Sequence, residues 1–355
     1  MAYAATGIGS MPGVEVDEQT RIISGELPDL PHIAELPGRG PGADMIGRTA
    51  GLLCQISSAF AIETTPSGWR LCDQPGRVMR RAQSWLGEDC DSAQHHFFGA
   101  NHVKLQVCGA WTMAASIDMR NGERALRDHA FCADLGQVLV DAVLTHMADI
   151  KRRLPDAKVW VQIDEPLLPA VIAARIRTAS GLATYRAIDA PRVQAQLEAL
   201  VSAIHDHDAS VVVHCCAPNA PVALARASGA DAVAVDLGQA HPAMHDDLAQ
   251  TLDSGGTLFL GAIDTKAPVS IPVVTGDQPS STATAVARNI QRLIQQWGFD
   301  TGTVGPQVVL TPACGLASQS EVAVRQTLAA LRHAGRLLRD ETAGDGGSSG
   351  GSRDQ

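Results

Sequence analysis

The sequence lacks the features that define several protein classes. Aromatic residues make up only 4% of its 355 residues, and no apolar run approaches the roughly 18 residues of a membrane-spanning helix. Eight cysteines in a chain of this length are too few for a disulfide-stabilised scaffold. The formal net charge of −10 provides no basic footprint for a nucleic acid or an anionic membrane. We therefore expect no nucleic-acid and no membrane partner.

The composition is that of a folded globular protein, with 45% hydrophobic and 19% charged residues. Residues 1–12 lack a basic segment followed by an apolar core, so no secretory signal is expected and a cytoplasmic location is the default. The Gly/Ser-rich residues 341–355 predict a disordered tail. No linker divides the remainder, so we expect one domain over residues 1–340.

Short apolar segments alternate with longer helical patterns along the chain. Most of the short segments are continuous apolar runs, which is typical of parallel strands buried on both faces. The helical segments place apolar residues such as Val286, Ile290 and Ile294 on one face. The predicted strands cover residues 6–10, 68–72, 103–107, 159–163, 210–214, 232–236, 257–262 and 307–310, and the predicted helices cover residues 123–153, 191–207, 242–253, 281–297 and 318–339.

Eight strands alternating with helices predict an α/β fold, a single (β/α)₈ TIM barrel. A doubly wound open sheet has the same local pattern and remains an alternative. The polar, Gly/Pro-rich residues 25–42 are interpreted as a long loop insertion after the first strand.

Residues that can bind metals, carry protons or hold charged ligands follow most of the predicted strands. The active site of a barrel forms at these carboxyl ends, where the strands converge. The candidates are Ser10, Asp164, Glu165, His214, Cys216, Asp236, Lys266 and Cys314.

His214, Cys216 and Cys314, with Asp236 as a possible fourth member, form the most specific subset. Zinc prefers thiolate and imidazole ligands, with carboxylate as a supplement. A His-x-Cys pair on an extended segment points both side chains to one side. The spacing is not that of a zinc finger, and cysteine is among the most buried residue types. Ordinary buried thiols therefore remain an alternative at this point.

Four short motifs, taken in order, resemble the C-terminal catalytic barrel of cobalamin-independent methionine synthase. They are Ile8-Gly9-Ser10, Gln162-Ile163-Asp164-Glu165-Pro166, His214-x-Cys216 and Pro312-x-Cys314-Gly315. The resemblance implies a (β/α)₈ barrel like that of uroporphyrinogen decarboxylase. It also implies zinc-dependent alkyl transfer to a thiol, with homocysteine methylated to methionine.

The resemblance also implies roles for individual residues. The family's zinc ligands fall on His214, Cys216 and Cys314, and its glutamate ligand falls on Asp236, whose side chain is one methylene shorter. The groups that bind the amino-acid end of homocysteine fall on Ser10 and Asp164. Glu165 is a further candidate for substrate binding.

The chain departs from the family at one catalytic motif. The family's Asp-x-His-x-Pro, whose His handles a proton during methyl transfer, reads Asp264-Thr265-Lys266-Ala267-Pro268 here. Lys266 is therefore a catalytic candidate beside Asp164, or a group that binds an anionic donor. The length leaves room for the catalytic barrel alone, so we expect a donor other than methyltetrahydrofolate, such as a methyl-corrinoid protein.

Two other functions are compatible with the same residues. Relatives of this barrel add thiols such as coenzyme M to epoxides, although Ser10 and Asp164 favour an amino-acid thiol. A non-catalytic zinc- or thiol-binding accessory protein is the other alternative, because Asp236 and Lys266 replace the residues that the family pattern leads us to expect.

Overall fold

The structure is a computed structural model that describes residues 2–265 and 280–345. The catalytic candidate Lys266 lies outside the described residues, and so do residues 346–355 of the expected tail. The strands are β1 (Ala4–Ala5), β2 (Ile62–Thr65), β3 (Gly68–Leu71), β4 (His102–Cys108), β5 (Ile117–Asp118), β6 (Lys158–Asp164), β7 (Ala209–Cys215), β8 (Ala232–Asp236), β9 (Thr257–Ile263) and β10 (Val308–Pro312). The helices are α1 (Val16–Glu26), α2 (Met45–Ile56), α3 (Arg77–His96), α4 (Ala110–Ser116), α5 (His129–Arg153), α6 (Leu168–Ile172), α7 (Ala190–His205), α8 (Val222–Ala227), α9 (Pro242–Asp253), α10 (Ser281–Gln296), α11 (Thr301–Val304) and α12 (Glu321–Asp345).

Seven strands form one curled sheet in the order β1-β10-β9-β8-β7-β6-β4. Every neighbouring pair in it is parallel, so the carboxyl ends of all seven strands lie on one face. Helices follow the strands and pack outside the sheet. The predicted TIM-barrel class is thereby confirmed, and the open doubly wound sheet is set aside.

The gap between the two edge strands is filled by residues 31–35, which run parallel to both. Single bridges join His32 to Lys104 of β4 and Glu35 to Ser10, beyond the end of β1. The amide of Ile33 donates to the Lys104 carbonyl at 2.8 Å, and that of Glu35 donates to the Gly9 carbonyl at 3.1 Å. Part of the stretch interpreted as a loop insertion therefore occupies a strand position of the barrel. The search for apolar runs missed this strand position because the stretch is rich in proline and glycine.

The predicted barrel strand over residues 68–72 is wrong as a barrel strand. It is β3, which pairs with β2 as an antiparallel hairpin and with β5 in parallel, forming a separate three-stranded sheet. The burial pattern of β3 is largely exposed or intermediate, unlike that of the buried barrel strands. The predicted first strand, residues 6–10, contains only the bridge at Ser10, because the regular strand lies earlier, at Ala4–Ala5.

Side-chain alternation along the strands gives the barrel interior two layers. A compact apolar cluster fills the lower layer with Leu30, Val212, Ala232, Ala234, Phe259 and Val309, against which Trp160 packs. On β6, Gln162 and Asp164 lie two and four residues after Trp160, so their side chains point to the same side of the strand as Trp160. On β7, the side chain of His214 likewise points to the same side as that of Val212. The apolar layer thus supports a polar layer at the carboxyl ends.

The outer helices carry most of the apolar core. Helix α5 is long and apolar enough to cross a membrane by length and composition alone, but it packs against α2 and α7 in the helical layer. Helix α12 continues to Asp345, past the expected domain boundary at residue 340.

Candidate active site

The carboxyl-end face of the sheet gathers candidates that are far apart in sequence. Asp164 ends β6, His214 lies in β7 directly opposite it in register, and Asp236 ends β8. Cys216 follows β7, and Cys314 follows β10 by two residues. All of these side chains are buried or half-buried. The parallel sheet alone accounts for their common location.

The sulfur atoms of Cys216 and Cys314 lie 3.3 Å apart although 98 residues separate them. The two thiols share a hydrogen bond, so one of them holds the proton more tightly than the other. That bond, together with the nearby His214, lowers the pKa of Cys314, while the same bond and burial raise the pKa of Cys216. Cys314 is therefore the thiol of the pair that ionises more readily.

The imidazole of His214 is held by Asp164. Its Nδ1 lies 2.6 Å from Oδ1 of Asp164, which also accepts a 2.7 Å hydrogen bond from Nε2 of Gln162. Nε2 of His214 is buried and has no hydrogen-bond partner among the described residues. A carboxylate that fixes one imidazole nitrogen while the other is left open is the arrangement that orients histidine ligands of metals.

Asp236 is buried at the end of β8 and has a local partner. Its Oδ1 accepts a 2.8 Å hydrogen bond from the amide of Gly238, which caps the short turn that follows the strand. One carboxylate oxygen is thus engaged by the backbone. Only Oδ2 remains for another ligand.

Ser10 lies between two segments of the barrel mouth. Its carbonyl accepts from the amide of Leu316 at 2.8 Å, and its backbone bridges to Glu35. A Cβ atom at Gly315 would overlap the Ser10 hydroxyl, so a side chain here would displace that hydroxyl. The Ser10 and Cys314 loops are thereby packed directly together.

Glu165 is fully buried and faces the start of α4. Its Oε1 accepts from the Trp111 amide at 3.0 Å, and its Oε2 accepts from the amide and hydroxyl of Thr112 at 2.8 and 2.6 Å. Burial raises the pKa of Glu165 to about 7 although these donors favour the ionised form. Both oxygens are engaged, so this carboxylate fastens α4 to the strand end.

Several buried polar residues were missed by the sequence interpretation. Lys104 is fully buried inside the barrel, and its Nζ donates to Oε1 of Gln162 at 2.7 Å and to the Ile8 carbonyl at 3.0 Å. Glu35 is buried beside Arg48, and burial raises the pKa of its carboxyl to about 7. The signal available in the sequence was that Lys104 and Gln106 interrupt the apolar run of a strand predicted to be buried.

The predicted four-ligand metal site is not assembled as a closed cluster. Within residues 2–265 and 280–345, no three His, Cys, Asp or Glu side chains form a group that could hold a metal ion. The structure brings Cys216 to Cys314 and His214 to Asp164. It engages Asp236 with its own turn.

In a barrel of this kind the active site forms at the carboxyl-end mouth, where this chain places two thiols, an imidazole and carboxylates. The profile of the family described as "Cobalamin-independent synthase, Catalytic domain" matches residues 93–336. The chain belongs to this family of methionine synthase catalytic domains. Membership supports a methyltransferase and, in general terms, methyl transfer to homocysteine. No curated protein matches the chain.

A solved structure supports the same fold. A B12-independent methionine synthase from Shewanella sp. W3-18-1, in complex with selenomethionine, aligns over 97% of this chain and 100% of that chain. Its TM-score is 0.61 at 12% sequence identity, which shows a shared fold. An oxaloacetate acetylhydrolase in complex with oxalate aligns over 98% of this chain and 93% of its own, at 10% identity and a TM-score of 0.39. That score is too low to support an inference.

Proposed function

We propose that the chain is a zinc-dependent methyltransferase that converts homocysteine to methionine. The observation that carries this proposal is the 3.3 Å approach of the Cys216 and Cys314 sulfurs, at the same mouth as a buried His214 with an open Nε2. Two thiolates and one imidazole are a donor set that zinc prefers. Methyl transfer as the reaction class follows from the family.

The donor set fits zinc in kind, since two thiols and an imidazole are ligands that zinc prefers, and the two sulfurs already lie 3.3 Å apart. His214, Cys216 and Cys314 would hold the ion, and Oδ2 of Asp236 would be the fourth ligand. Bound zinc supplies the deprotonation of a substrate thiol, which in water is only a few per cent thiolate at neutral pH.

The chain's own residues would position homocysteine. Oδ1 of Asp164 is occupied by Gln162 and His214, which leaves Oδ2 to pair with the substrate ammonium. The Ser10 hydroxyl, packed against Gly315, would donate to the substrate carboxylate. These two contacts fix the thiol relative to the methyl donor, and such fixed geometry is a large part of catalysis.

Lys266 remains a proposed proton donor or anion-binding residue, and Asp164 the second catalytic residue. We assign Glu165 to holding α4 rather than to substrate, because both its oxygens already accept hydrogen bonds. The proposed location is the cytoplasm, which is supported by eight cysteines that are all free, including the adjacent Cys216 and Cys314.

The test combines metal content with transfer assays. Purified wild-type protein should contain one zinc per chain and form methionine from homocysteine with methylcobalamin, a methyl-corrinoid protein or methyltetrahydrofolate as the offered donor. Cys314→Ser should lose zinc and activity, whereas the matched control Cys54→Ser, at the end of α2, should keep both. Wild-type protein that binds no zinc, or Cys314→Ser protein that binds it fully, would contradict the proposal.

A further inference from the structure

A continuous hydrogen-bonded chain of buried side chains runs from inside the barrel to the candidate zinc ligand. It consists of Lys104, Gln162, Asp164 and His214, and joins strands β4, β6 and β7. Each of its three links is 2.6–2.7 Å long. All four residues are 5% exposed or less. Neither the proposed reaction nor the sequence motifs account for Lys104.

The chemistry of Lys104 determines the direction of every bond in this chain. An ammonium group can only donate, so the side chain of Gln162 must face it with the oxygen Oε1. The amide nitrogen Nε2 then faces Asp164 and can only donate to it. The carboxylate Oδ1 therefore accepts from both neighbours, and His214 must donate from Nδ1.

The Ile8 carbonyl, in the segment that follows β1, supports the same orientation. It accepts from Nζ of Lys104 at 3.0 Å and from Nε2 of Gln162 at 2.8 Å. A carbonyl can only accept, so a flipped Gln162 amide would face it with oxygen against oxygen. Ile8 lies two residues before Ser10, so the network also ties the proposed substrate subsite to the proposed metal ligand.

We propose that Lys104 is a positioning residue for the zinc site, acting through Gln162 and Asp164 to hold His214 with Nδ1 protonated and Nε2 open to the metal. Zinc binds only the unprotonated imidazole nitrogen, so the tautomer decides whether the ligand is ready. This inference rests on the proposed zinc function. The buried ammonium of Lys104 does more than supply a positive charge, because an apolar group of equal size would leave Oε1 of Gln162 without a hydrogen-bond donor.

The variant that tests the proposal is Lys104→Met, which keeps the length of the side chain and removes its donors. Zinc affinity, measured by competition with a chromogenic chelator, should fall about tenfold, the lower end of the 10–100-fold effect of outer ligand partners. Lys158→Met is the matched control, because Lys158 is an exposed lysine on the neighbouring strand β6. It should bind zinc as the wild type does.

Two readouts separate positioning from general destabilisation. Cobalt-substituted Lys104→Met should show altered visible absorption bands, since these respond to ligand geometry whereas zinc is silent. Nitrogen NMR of the zinc-free protein should show the Nδ1–H tautomer of His214 in the wild type and a mixture in the variant. The effects of Lys104→Met and Gln162→Leu on zinc affinity should be non-additive, because both break one chain.

The outcomes are distinct. A folded Lys104→Met protein with wild-type zinc affinity, cobalt spectrum and tautomer would overturn the inference, and so would additive effects in the double variant. If Lys104→Met does not fold, Gln162→Leu decides in its place, and wild-type zinc affinity there would also overturn it. If the wild type binds no zinc, the proposed function fails, while the tautomer measurement still tests Lys104 separately.

Discussion

The hydroxyl of Ser10 occupies the space that a side chain at Gly315 would need, although the two positions are 305 residues apart in the sequence. The amide of Leu316 reinforces this contact by donating to the Ser10 carbonyl. The first and last barrel strands thereby bring a proposed substrate-binding hydroxyl next to the proposed zinc ligand Cys314. The glycine after Cys314 is explained by this crowding.

Gly315→Ala should weaken the use of homocysteine without unfolding the protein. The added methyl group displaces the Ser10 hydroxyl, and a displacement of about 1 Å at a site can lower kcat/KM by up to about 100-fold. Steady-state kinetics with homocysteine as the varied substrate measure the loss. Gly87→Ala, in α3 with nothing within 4 Å of its Cβ position, is the control and should keep wild-type kinetics. Unchanged kinetics in Gly315→Ala would remove Ser10 from the substrate site.

Glu165 should make the protein less stable as the pH rises. Its pKa is about 7 in the folded state and 4.5 as the reference, so the unfolded chain ionises first. The stability from this group is complete below about pH 4.5 and is lost as the pH rises to 7, a change of about 3 kcal/mol. Urea unfolding of Glu165→Gln at several pH values should show this slope removed. Glu88→Gln, at an exposed carboxylate of α3, should retain the wild-type slope.

Cys314 should be the most rapidly alkylated thiol of the zinc-free protein near neutral pH. Its pKa is lowered by the hydrogen bond with Cys216, whereas burial raises the pKa of Cys54 and Cys90 to about 12. Brief treatment with iodoacetamide at pH 7, followed by mass spectrometry, should label Cys314 first, with the rate falling as the pH is lowered. Added zinc should protect it. Equal labelling of Cys54 and Cys314 would contradict the shared-proton arrangement with Cys216.

Asp89→Asn should destabilise the loop that leads into α2. The Asp89 carboxylate is buried and pairs with Arg39 of that loop and with Arg48 of α2, which also lies 3.9 Å from Glu35. Removal of one partner of a buried ion pair costs about 3–5 kcal/mol. Chemical denaturation measures this loss. Asp91→Asn, at an exposed carboxylate paired with Arg153, should cost less than about 1 kcal/mol.

The barrel class and the position of most candidates followed from the sequence, for identifiable reasons. Strands β6 to β10 are buried on both faces, so their apolar runs reveal them, and the parallel fold puts Asp164, His214 and Asp236 at one edge. The segment of residues 31–35 escaped notice because it pairs through isolated bridges amid prolines and glycines. β3 was misplaced because a surface hairpin and a barrel strand look alike over four residues.

Side-chain partners were beyond the reach of the sequence. Nothing in Asp164-Glu165 says that the first carboxylate turns to His214 and the second to the amides of α4, because that depends on the neighbouring strand and helix. Lys104 is likewise an ordinary lysine in the sequence, and only its hydrogen bonds to the Ile8 carbonyl and to Gln162 of β6 give it a role.

The segment of residues 31–35 joins the barrel through fewer backbone hydrogen bonds than a continuous strand such as β6. Its few backbone hydrogen bonds to neighbouring segments include those from Ile33 to Lys104 and from Glu35 to Gly9. By contrast, β6 pairs with β4 on one side and with β7 on the other along nearly its whole length. Local opening requires the least free energy where the fewest such bonds break. Deuterium should therefore enter the amides of Ile33 and Glu35 well before that of Val161.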